Sequence, residues 1–557
     1  MVIRTDLAEV HAKQRRLIAA MGAVRAPWFN HWRTLSDYYL PRRYPQLLTA
    51  REAKSVDRRN TKLLSSVSTM AVRTLASGMM NGITSPSRPW FRLRLSGVDN
   101  ETMSHATKIW LSEVTDILYR IMSESNFYNS MAVLYLEWSC FGTASLIIYE
   151  DEKDVIRCHN IPMGEFYISQ DDTGRVNRHA RGFSLTVEQL VSQFGLDNVS
   201  EEVKRKHELG GENLTHSVTV LHLIEKNSSD DTILQASAPY RELYWEESAD
   251  AGHYLSIKPF YDWPCLTPRW ELLGNEPYGT SPSMDALGDV IELQHAKKLK
   301  GEGKEKEVHP PLIVDRQLAN APKALSARGM TYANTANSNF GAKKAYETRL
   351  PYQELTADEL SLTADIRETH YNQLFNMISQ LDTVRSATEI NALLSERLVH
   401  LGPVLNRFEN EGLDPTMTRV YAIADRRGML PEPPEELSGV DIQVQYVGVL
   451  SDAQRAVSTA STERFMQFVA ETSSVYPEVR EIPDPEEIVR DYGESLGVRP
   501  ANMRSRAEVE ERLNSAKQKE ELAETAAIGG ELAQGAKALS ETNVGGGANA
   551  LEQLLGG

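Results

Sequence analysis

The sequence predicts an α+β fold that is mainly helical and carries one β-rich module between its helices. Apolar residues recur at helical spacing through most of the first 140 residues, as expected for helices with one buried side. Residues 142–262 instead alternate with a period of two between turn residues, which is typical of strands and hairpins. Helical spacing returns beyond residue 280. A hydrophobic content of 41% over 557 residues is sufficient for a sizeable core.

The N-terminal segment is predicted to form two helices that meet at Pro27. Asp6 is a good N-cap for the first helix, because its carboxylate can accept from a free backbone N–H. Proline suits the first position of a helix, so we expect Pro27 to begin the second helix, which Pro41 ends. The apolar residues expected to face inward are Leu7, Val10, Leu17, Met21 and Val24 in the first helix and Trp28, Trp32, Leu35 and Tyr39 in the second.

Three further helices are predicted before residue 140. The third helix covers residues 57–80, and its apolar face consists of Leu64, Val67, Ala71, Leu75 and Met79. The fourth runs from Ile109 to Met122, and the fifth runs from Phe127 to Trp138.

The stretch LASGMMNGITSPSRPWFRL, residues 75–93, predicts a corner between a helix and a strand. Gly82 fits a helix C-terminal stop, and Pro89 helps to prevent the helix from restarting. Trp90 and Phe91 then begin an alternating segment that suits a strand with one buried face. Base stacking by this aromatic pair is the alternative. Buried packing is favoured over it, because the only basic residues nearby are Arg88, Arg92 and Arg94.

The β-rich module begins with the strand TASLIIYE and continues with the hairpin EFYISQDDTGRVNRHARGF. Asp172, Thr173 and Gly174 form the predicted turn, since glycine supplies a positive φ. The segment TVEQLVSQFG predicts a short capped helix that ends at Gly195, and four strand patterns follow it, namely SVTVLHLIEK, TILQAS, RELYWEE and HYLSIKPF.

Helices dominate the second half of the chain. Pro282 is expected in the first turn of a helix that ends in the charged segment KKLKGEGKEKEVHPP, followed by the short strand PPLIVD. A helix is predicted from Thr356 to about Leu381, and a long helix begins near Ala387 after the polar gap DTVRS. Pro403 falls inside the long helix, so we expect a kink after Gly402.

The chain is then predicted to continue to its C-terminus mainly as helices. Pro415 opens another helix, and DIQVQYVGV alternates as a strand. Residues 451–520 are predicted as charged helices, and residues 521–557 as a flexible tail rich in Ala, Gly and Glu.

The bulk composition limits the functional classes. A formal net charge of -17 argues against a protein that grips duplex DNA, because such binding rests on Lys and Arg at phosphates. Three widely spaced cysteines suit a reduced compartment such as the cytoplasm. No apolar run of membrane-spanning length is present, and the polar N-terminus does not resemble a signal peptide.

Motifs for catalysis, cofactors and metals are absent from the sequence, so no catalytic, cofactor-binding or metal-binding residue is predicted. A phosphate-binding loop, H-E-x-x-H, G-x-S-x-G and paired C-x-x-C are all missing. The neighbours Cys158 and His159 point to opposite faces of a strand, which disfavours a shared metal site. The pair Asp171 and Asp172 could bind a cation, but a turn-capping role is favoured.

The clearest charged feature is a lysine cluster that comprises Lys297, Lys298, Lys300, Lys304 and Lys306. These side chains could contact phosphates, or they could form a solvated helix end whose positive charge suits the helix dipole. The sequence leaves both interpretations open.

Several stretches in one order resemble the head-to-tail connector, or portal, proteins of short-tailed bacteriophages (podoviruses). The stretches are WRTLSDYYLPRR, LASGMMNGITSPSRPWFRL, FGTASLIIYED, EPYGTSP, SATEINALLSERLVHLGPVLNRFENEGLDP and VQYVGVLSDAQRA. Each stretch alone is a weak signal, but their order and spacing are specific. The resemblance covers residues 25–510, and its structural motif residues include Gly82, Pro89, Trp90, Phe91, Gly402 and Pro403.

This resemblance implies a mainly helical portal fold with wing, stem, clip and crown regions. Residues 1–280 would form the wing, which contains the β-rich module of about residues 142–262. The other implied regions are a stem helix at 281–304, the clip at 305–350, a second stem helix at 351–380, a tunnel loop at 381–386, a kinked helix and wing return at 387–450, and crown helices at 451–520.

The implied function is structural and not enzymatic. A twelve-subunit ring at one capsid vertex would conduct double-stranded DNA during packaging and ejection, and it would dock the terminase motor and the tail. The implied partners are the major capsid protein, the scaffold, terminase, the tail adaptor and tail proteins, and the passing DNA, with no membrane. The protein would be assembled in the host cytoplasm and then reside in the virion at the head–tail junction.

The implied DNA-channel candidates are Lys297, Lys298, Lys300, Lys304, Thr383 and Arg385. A largely acidic chain suits a conduit, since many phosphate contacts would stall the moving duplex. Two alternatives remain open. One is another phage structural protein, such as a tail adaptor, and the other is a hydrolase that uses isolated acidic residues of the β-rich module.

Overall fold

The computed structural model describes residues 2–41, 63–96, 103–227, 238–315, 330–333, 342–344, 350–380, 401–434, 442–447 and 466–473, with single residues between and beyond them. The chain divides into two compact units. One comprises residues 1–94, 114–431 and 442–460, and the other comprises residues 95–113, 432–441 and 461–557. Helices and sheets are both present, as the predicted α+β class requires.

The helices follow the predicted order, with several changed boundaries. They are α1 (Val2–Tyr39), α2 (Val67–Ile83), α3 (His105–Glu124), α4 (Phe127–Phe141), α5 (Val187–Phe194), α6 (Glu201–Leu209), α7 (Pro282–Asp285), α8 (Leu287–Val308), α9 (Tyr352–Thr369), α10 (Asn372–Gln380), α11 (residues 401–408), α12 (Asp414–Arg426) and α13 (residues 466–473).

The strands form four sheets in the described residues. The strands are β1 (Phe91–Leu95), β2 (Ser145–Asp151), β3 (Val155–Ile161), β4 (Phe166–Gln170), β5 (Val176–Thr186), β6 (Ser217–Lys226), β7 (Tyr240–Glu246), β8 (Ser256–Phe260), β9 (Cys265–Leu266), β10 (Leu312–Asp315), β11 (Met330–Ala333), β12 (Ala342–Lys344) and β13 (Ile442–Tyr446). The sheet orders are β4-β5-β6-β7-β8, β3-β2-β9, β11-β10-β12 and β1-β13.

The β-rich module agrees with its sequence pattern. Its five-stranded sheet is antiparallel throughout, and helices α5 and α6 lie in the connection between β5 and β6. At the first hairpin, one carboxylate oxygen of Asp171 accepts from the backbone N–H groups of Thr173 and Arg175, at 3.0 and 2.9 Å. The predicted turn-capping role of this aspartate is confirmed. The predicted strand TILQAS lies outside the described residues.

The N-terminal segment is one helix, so the predicted break at Pro27 is wrong. Helix α1 passes through this proline, although an interior proline removes one hydrogen bond and costs about 3 kcal/mol. Packing on both sides of Pro27 offsets that cost. Arg25 donates to the carbonyl oxygens of Gly164 and Phe166, at 2.8 and 3.0 Å. On the other side, Trp32 is fully buried against Tyr278.

Two other helix predictions near the N-terminus need correction. The helical spacing predicts Val24 on the buried face, but its side chain is 51% exposed. The sequence also predicts Leu64 on the inner face of a helix over 57–80, but α2 begins at Val67 and Leu64 is 54% exposed. The backbone N–H of Leu64 instead donates to the side-chain oxygen of Gln294 at 2.7 Å, so a tertiary contact replaces a helical turn.

The predicted corner at residues 75–93 is present, with one shift. Helix α2 continues past Gly82 to Ile83, and Gly82 does not adopt a left-handed conformation. Trp90 is 1% exposed and its ring lies parallel to those of Phe127 and Tyr446, each with its centroid 6.4 Å away. The prediction of buried packing for Trp90 is confirmed, because no base can reach a ring enclosed in this way.

Helix α4 forms the centre of the core, and it contacts several of the sequence stretches quoted above. Tyr135 and Trp138 on α4 pack against Phe408, with ring centroids 4.9 and 4.5 Å apart. The hydroxyl of Thr84 donates to the Tyr135 hydroxyl at 3.0 Å. The carbonyl of Cys140 accepts from Ser281 at 2.8 Å. Segments that are far apart in the chain therefore share one buried helix.

The C-terminal end of α4 is in backbone contact with the segment before α7. Gly142 has a φ of 73°, and a Cβ there would lie 2.3 Å from the carbonyl oxygen of Gly279. A Cβ on Gly279 would in turn lie 2.6 Å from the carbonyl oxygen of Gly142. Since no side chain fits on either residue, both glycines are required by this close approach.

The kink expected just before Pro403 lies partly among residues outside the description. Gly402 and Pro403 are both within helix α11. The distortion that the structure shows is a π turn over Glu409–Leu413, between α11 and α12. Pro415 lies in the first turn of α12, as predicted.

This π turn brings Glu411 onto a buried arginine. Its carboxylate accepts from the Arg269 guanidinium at 2.6 and 3.0 Å, and Arg269 also donates to the carbonyl of Gly174 at 2.7 Å. The ion pair thus joins the first hairpin of the β-rich module to the helix that follows residue 401.

The ring of Phe375 on α10 packs directly against Gly78 on α2. A Cβ on Gly78 would lie 2.2 Å from ring atoms of Phe375. We expect Gly78→Ala to lower the unfolding free energy by about 1–3 kcal/mol, because the ring must move out of its site. Gly301→Ala is the matched control, since nothing lies within 4 Å of a Cβ there and alanine favours a helix. Thermal unfolding would check this, and an unchanged midpoint for Gly78→Ala would contradict it.

Acid should destabilise the fold through buried histidines such as His370. Burial lowers its pKa to about 4, against about 6.5 in an unfolded chain. The stabilisation is complete above pH 6.5 and is lost as the pH falls toward 4, by up to about 3 kcal/mol. The unfolding midpoint of His370→Gln should depend less on pH over this window. His216→Gln is the control, because His216 is exposed, and equal slopes for both variants would refute the assignment.

Candidate nucleic-acid interface

The lysine cluster lies on a pair of antiparallel helices, α8 and α9. The ammonium of Lys300 lies 3.3 Å from the Glu359 carboxylate and 3.0 Å from the Thr356 hydroxyl. Seven residues further along α8, Glu307 accepts a hydrogen bond from the Tyr352 hydroxyl. This hydrogen bond raises the pKa of Tyr352. The later residue of α8, Glu307, contacts the earlier residue of α9, Tyr352, so the two helices are antiparallel.

Most of this helix pair lies beyond the core. In α8 the buried residues are Val290, Leu293 and Gln294, all in its first half. In α9 the only buried residue is Ile366, near its end. Beyond these residues the two helices contact each other, as Lys300 and Glu359 do, and expose their other sides.

A close contact and a buried amide hold the pair in place. A Cβ on Gly303 would lie 2.7 Å from the side chain of Leu350, so the glycine lets the chain before α9 approach closely. At the base of α8, the Gln294 oxygen accepts from the N–H groups of Leu64 and Ser65, both at 2.7 Å, and its amide donates to the Ser65 carbonyl at 3.2 Å. The orientation of α8 is therefore set by backbone hydrogen bonds as well as by apolar packing.

The structure separates the predicted lysines into two groups. Lys300 is engaged with Glu359 and Thr356, so its charge is largely neutralised. Lys297, Lys298 and Lys304 form no ion pair among the described residues. Thr383 and Arg385, the other DNA-channel candidates, lie outside the described residues.

The side of α8 that faces away from α9 has mixed charge. At about 100° per residue, Lys298 lies almost opposite the contact with α9. Glu302 and Glu305 are exposed on the same side. A phosphate would meet a lysine flanked by carboxylates there, which is suited to a weak contact and not to tight binding.

A strained joint connects α9 to α10, where the sequence pattern predicts one continuous helix. Tyr371 has a φ of 53°, which non-glycine residues rarely adopt. The preceding His370 is fully buried, and its Nδ1 donates to the Ile366 carbonyl at 2.7 Å while Nε2 lies 3.1 Å from the Ser283 hydroxyl. Aromatic and β-branched residues around this point gave no turn signal, so only tertiary contacts reveal the joint.

A buried polar cluster in the β-rich module contains the residue types of an acid–base site. Arg181 Nε donates to His222 Nδ1 at 3.0 Å, so the histidine proton is on Nε2, which donates to Glu242 at 2.9 Å. The hydroxyls of Tyr149 and Tyr244 donate to the same carboxylate oxygen, each at 3.0 Å.

Every polar group at the centre of this cluster is satisfied. Burial lowers the pKa of His222 and keeps it neutral. Burial alone would raise the pKa of Glu242, but the hydrogen bond from His222 and those from the tyrosines hold it below its ordinary value. His222 is fully buried, so a substrate cannot reach it, and the cluster serves as a structural hydrogen-bond network.

A second pair resembles part of a catalytic triad. Ser145 Oγ lies 2.8 Å from His179 Nε2, and both residues are fully buried. In the described structure the other ring nitrogen of His179 has no hydrogen-bond partner, so no carboxylate orients the ring. The pair gives no support to a hydrolase. Within the described ranges, no group of three or more His, Cys, Asp and Glu residues could hold a metal.

None of the helices in the described ranges combines the length and the apolar composition that a membrane crossing needs.

The family model described as "Bacteriophage head to tail connecting protein" matches residues 11–503. The "Portal protein" of Salmonella phage epsilon15 is 35% identical over 539 residues, which cover 95% of this chain and 96% of that protein. The "Probable portal protein" of Bordetella phage BPP-1 is 35% identical over 494 residues, 88% of each chain.

These matches agree with the order of stretches that first suggested a connector protein, and they extend over the core around α4 and over the helix pair. Because the family model spans nearly the whole chain and both relatives align over most of their own lengths, this chain belongs to the family of bacteriophage head-to-tail connecting proteins.

Proposed function

We propose that this protein is a portal subunit that assembles into a twelve-subunit ring at one capsid vertex. Double-stranded DNA passes through the ring during packaging and ejection. The observation that carries this proposal is the match over nearly the full chain to relatives named as portal proteins. The ring is assembled in the host cytoplasm and becomes part of the virion at the head–tail junction.

The partners follow from this position. The outer part of the ring contacts the major capsid protein and the scaffold, terminase docks during packaging, and the tail adaptor and tail proteins dock afterwards. A vertex component that joins different assemblies needs a rigid body, and the largely buried helix α4 is consistent with one.

The projecting helix pair supports a ring. Its two helices expose polar side chains on nearly all sides, and their few buried residues lie at the end next to the core. Such a pair gains stability when copies pack side by side around an axis. We propose that α8 and α9 are the two stem helices, with the clip at 305–350 beginning in the last turn of α8.

The other regions keep the assignments that the resemblance implies. Residues 1–280 are proposed as the wing, residues 381–386 as the tunnel loop, residues 387–450 as the kinked helix with the wing return, residues 451–520 as the crown, and residues 521–557 as a flexible tail. Helix α10, which leads into the proposed tunnel loop, is held against α2 by Phe375.

The acidic chain suits the passage of DNA. A net charge of -17 keeps the channel from binding the duplex through many phosphates. Among the lysine candidates, Lys298 best fits a transient contact, because it points away from α9 and has carboxylates nearby. Lys300 instead stabilises the helix pair, and Thr383 and Arg385 stay candidates for the tunnel loop.

The first expected outcome concerns assembly. Purified protein should form closed rings with a central channel, which negative-stain electron microscopy and native mass spectrometry would detect. The proposed ring has twelve subunits, and head-to-tail contacts of this kind close when the rotation per subunit matches. Monomers, dimers or open fibres at all concentrations would contradict the portal function and would favour a tail adaptor or another structural role.

A second outcome concerns DNA movement. Lys298→Glu should leave rings intact but reduce packaged DNA in a packaging assay, because a ring of new carboxylates repels the phosphates. Lys153→Glu is the matched control, since it makes the same charge change on an exposed turn of the β-rich module. Equal packaging by both variants would show that Lys298 does not guide DNA.

A further inference from the structure

The two sides of the helix pair carry opposite charge. The contacts of Lys300, Gly303 and Glu307 mark the side of α8 that faces the chain at α9. At about 100° per residue, Lys297 and Lys304 then lie roughly 70–90° to one side of that contact. Glu302 and Glu292 lie on the other side of it.

Helix α9 shows the same division. Tyr352, Thr356 and Glu359 mark its side toward α8. The helical repeat places Arg367 on the side of the pair that carries Lys297, while Asp358 and Asp365 fall on the side that carries Glu302.

These residues define two surfaces. The basic face contains Lys297, Lys304 and Arg367, and the one carboxylate near its edge on α9, Glu368, lies almost opposite the contact with α8. The acidic face contains Glu292, Glu302, Asp358 and Asp365, together with Lys306. All of these side chains are at least partly exposed.

Each face also exposes a leucine at the same height. Leu299 precedes Lys300 on α8 and is 51% exposed, on the acidic face. Leu360 follows Glu359 on α9 and is 66% exposed, on the basic face. Because Lys300 and Glu359 pair across antiparallel helices, their neighbours in sequence lie level with each other along the pair.

We infer that neighbouring copies of this chain bind through the helix pair, with the basic face of one subunit against the acidic face of the next. The contact is heterologous, so two different surfaces of each subunit are used and repetition generates a ring. The inference rests on the proposed ring and names the surfaces that close it.

The two faces match along their length. Counting from the Lys300–Glu359 pair at about 1.5 Å per residue, Lys304 lies within roughly 5 Å of the height of Glu302 and Asp358. Toward the core, Lys297 and Arg367 lie near the heights of Asp365 and Glu292. Subunits related by rotation about one axis sit at equal heights, so opposite charges and the two leucines meet.

A second copy explains this arrangement better than DNA does. DNA would favour one basic surface and would be repelled by the acidic face on the other side of the same pair. A complementary basic and acidic pair of faces satisfies both surfaces with one partner. Lys297 and Lys304 accordingly point toward the next subunit. Lys298 lies between the two faces and remains the candidate for contact with DNA in the channel.

Charge reversal tests the faces in the full-length protein. The variant Lys297→Glu with Lys304→Glu should raise the concentration needed for half-assembly by roughly tenfold or more, because two acidic faces then oppose each other. Asp358→Lys with Asp365→Lys should do the same from the other side. Combining all four changes restores opposite charges, so assembly should return to near the wild-type concentration.

The control for charge is Lys153→Glu with Lys258→Glu, which alters two exposed lysines of the β-rich module. This control should assemble as the wild type does, and equal thermal unfolding midpoints would show that the variants fold. Normal assembly of both single-face variants would overturn the inference. So would intact rings of the Lys297→Glu and Lys304→Glu variant that fail only in packaging, since these lysines would then contact DNA.

A cross-link tests the register independently. Leu299→Cys with Leu360→Cys in one chain should give disulfide-linked multimers under mild oxidation, because a disulfide needs Cα atoms about 4.4–6.8 Å apart. Each single variant should stay uncross-linked, because the two cysteines come from different faces. The three native cysteines are buried and do not interfere.

The two proposals fail in different ways. Rings seen by microscopy without cross-linked multimers would overturn the inference and leave the portal function standing. Wild-type protein that forms no ring would overturn the portal function itself.

Discussion

The backbone contact between Gly142 and Gly279 is the constraint on which the rest of the structure depends. It joins the end of the buried helix α4 to the segment that begins α7 and α8, and the N–H of Gly279 donates to the Thr143 hydroxyl at 2.8 Å. The approach is closer than any side chain permits at either position. The start of β2, the base of the helix pair and the end of α4 are therefore located relative to one another by main-chain atoms.

The same region explains why distant stretches of the chain act together. The aromatic stretch of α1 reaches Tyr278 through Trp32. The π turn between α11 and α12 contacts Arg269 through Glu411. The N–H of the adjacent Trp270 donates to the Gly142 carbonyl at 2.8 Å. A buried ion pair of this kind loses much of its stabilisation if one partner is removed. The body that carries the helix pair is thus held by hydrogen bonds and an ion pair as well as by apolar packing.

The predictions from sequence succeeded where local pattern and tertiary packing agree. The alternation of Phe91, Leu93 and Leu95 predicts β1, and all three side chains are buried. The capping residues Thr186 and Gln189 predict α5, and their reciprocal hydrogen bonds are present. The sequence predictions failed where tertiary packing overrides local preference. Pro27 lies inside a continuous helix, and Tyr371 takes a left-handed conformation where the pattern predicts a helix.

The sequence by itself determined the α+β class, the β-rich module, the lysine cluster and the family, because periodicity, turn residues and the order of short stretches are local features that survive without knowledge of the fold. Only the tertiary structure decided that Lys300 is paired while Lys298 is not, that the His222 and Glu242 cluster is sealed from substrate, and that the helix pair has a basic and an acidic face. These properties depend on which helices and strands meet, at what angle and at what height. Such relations arise from contacts between residues far apart in the chain, which no local pattern records.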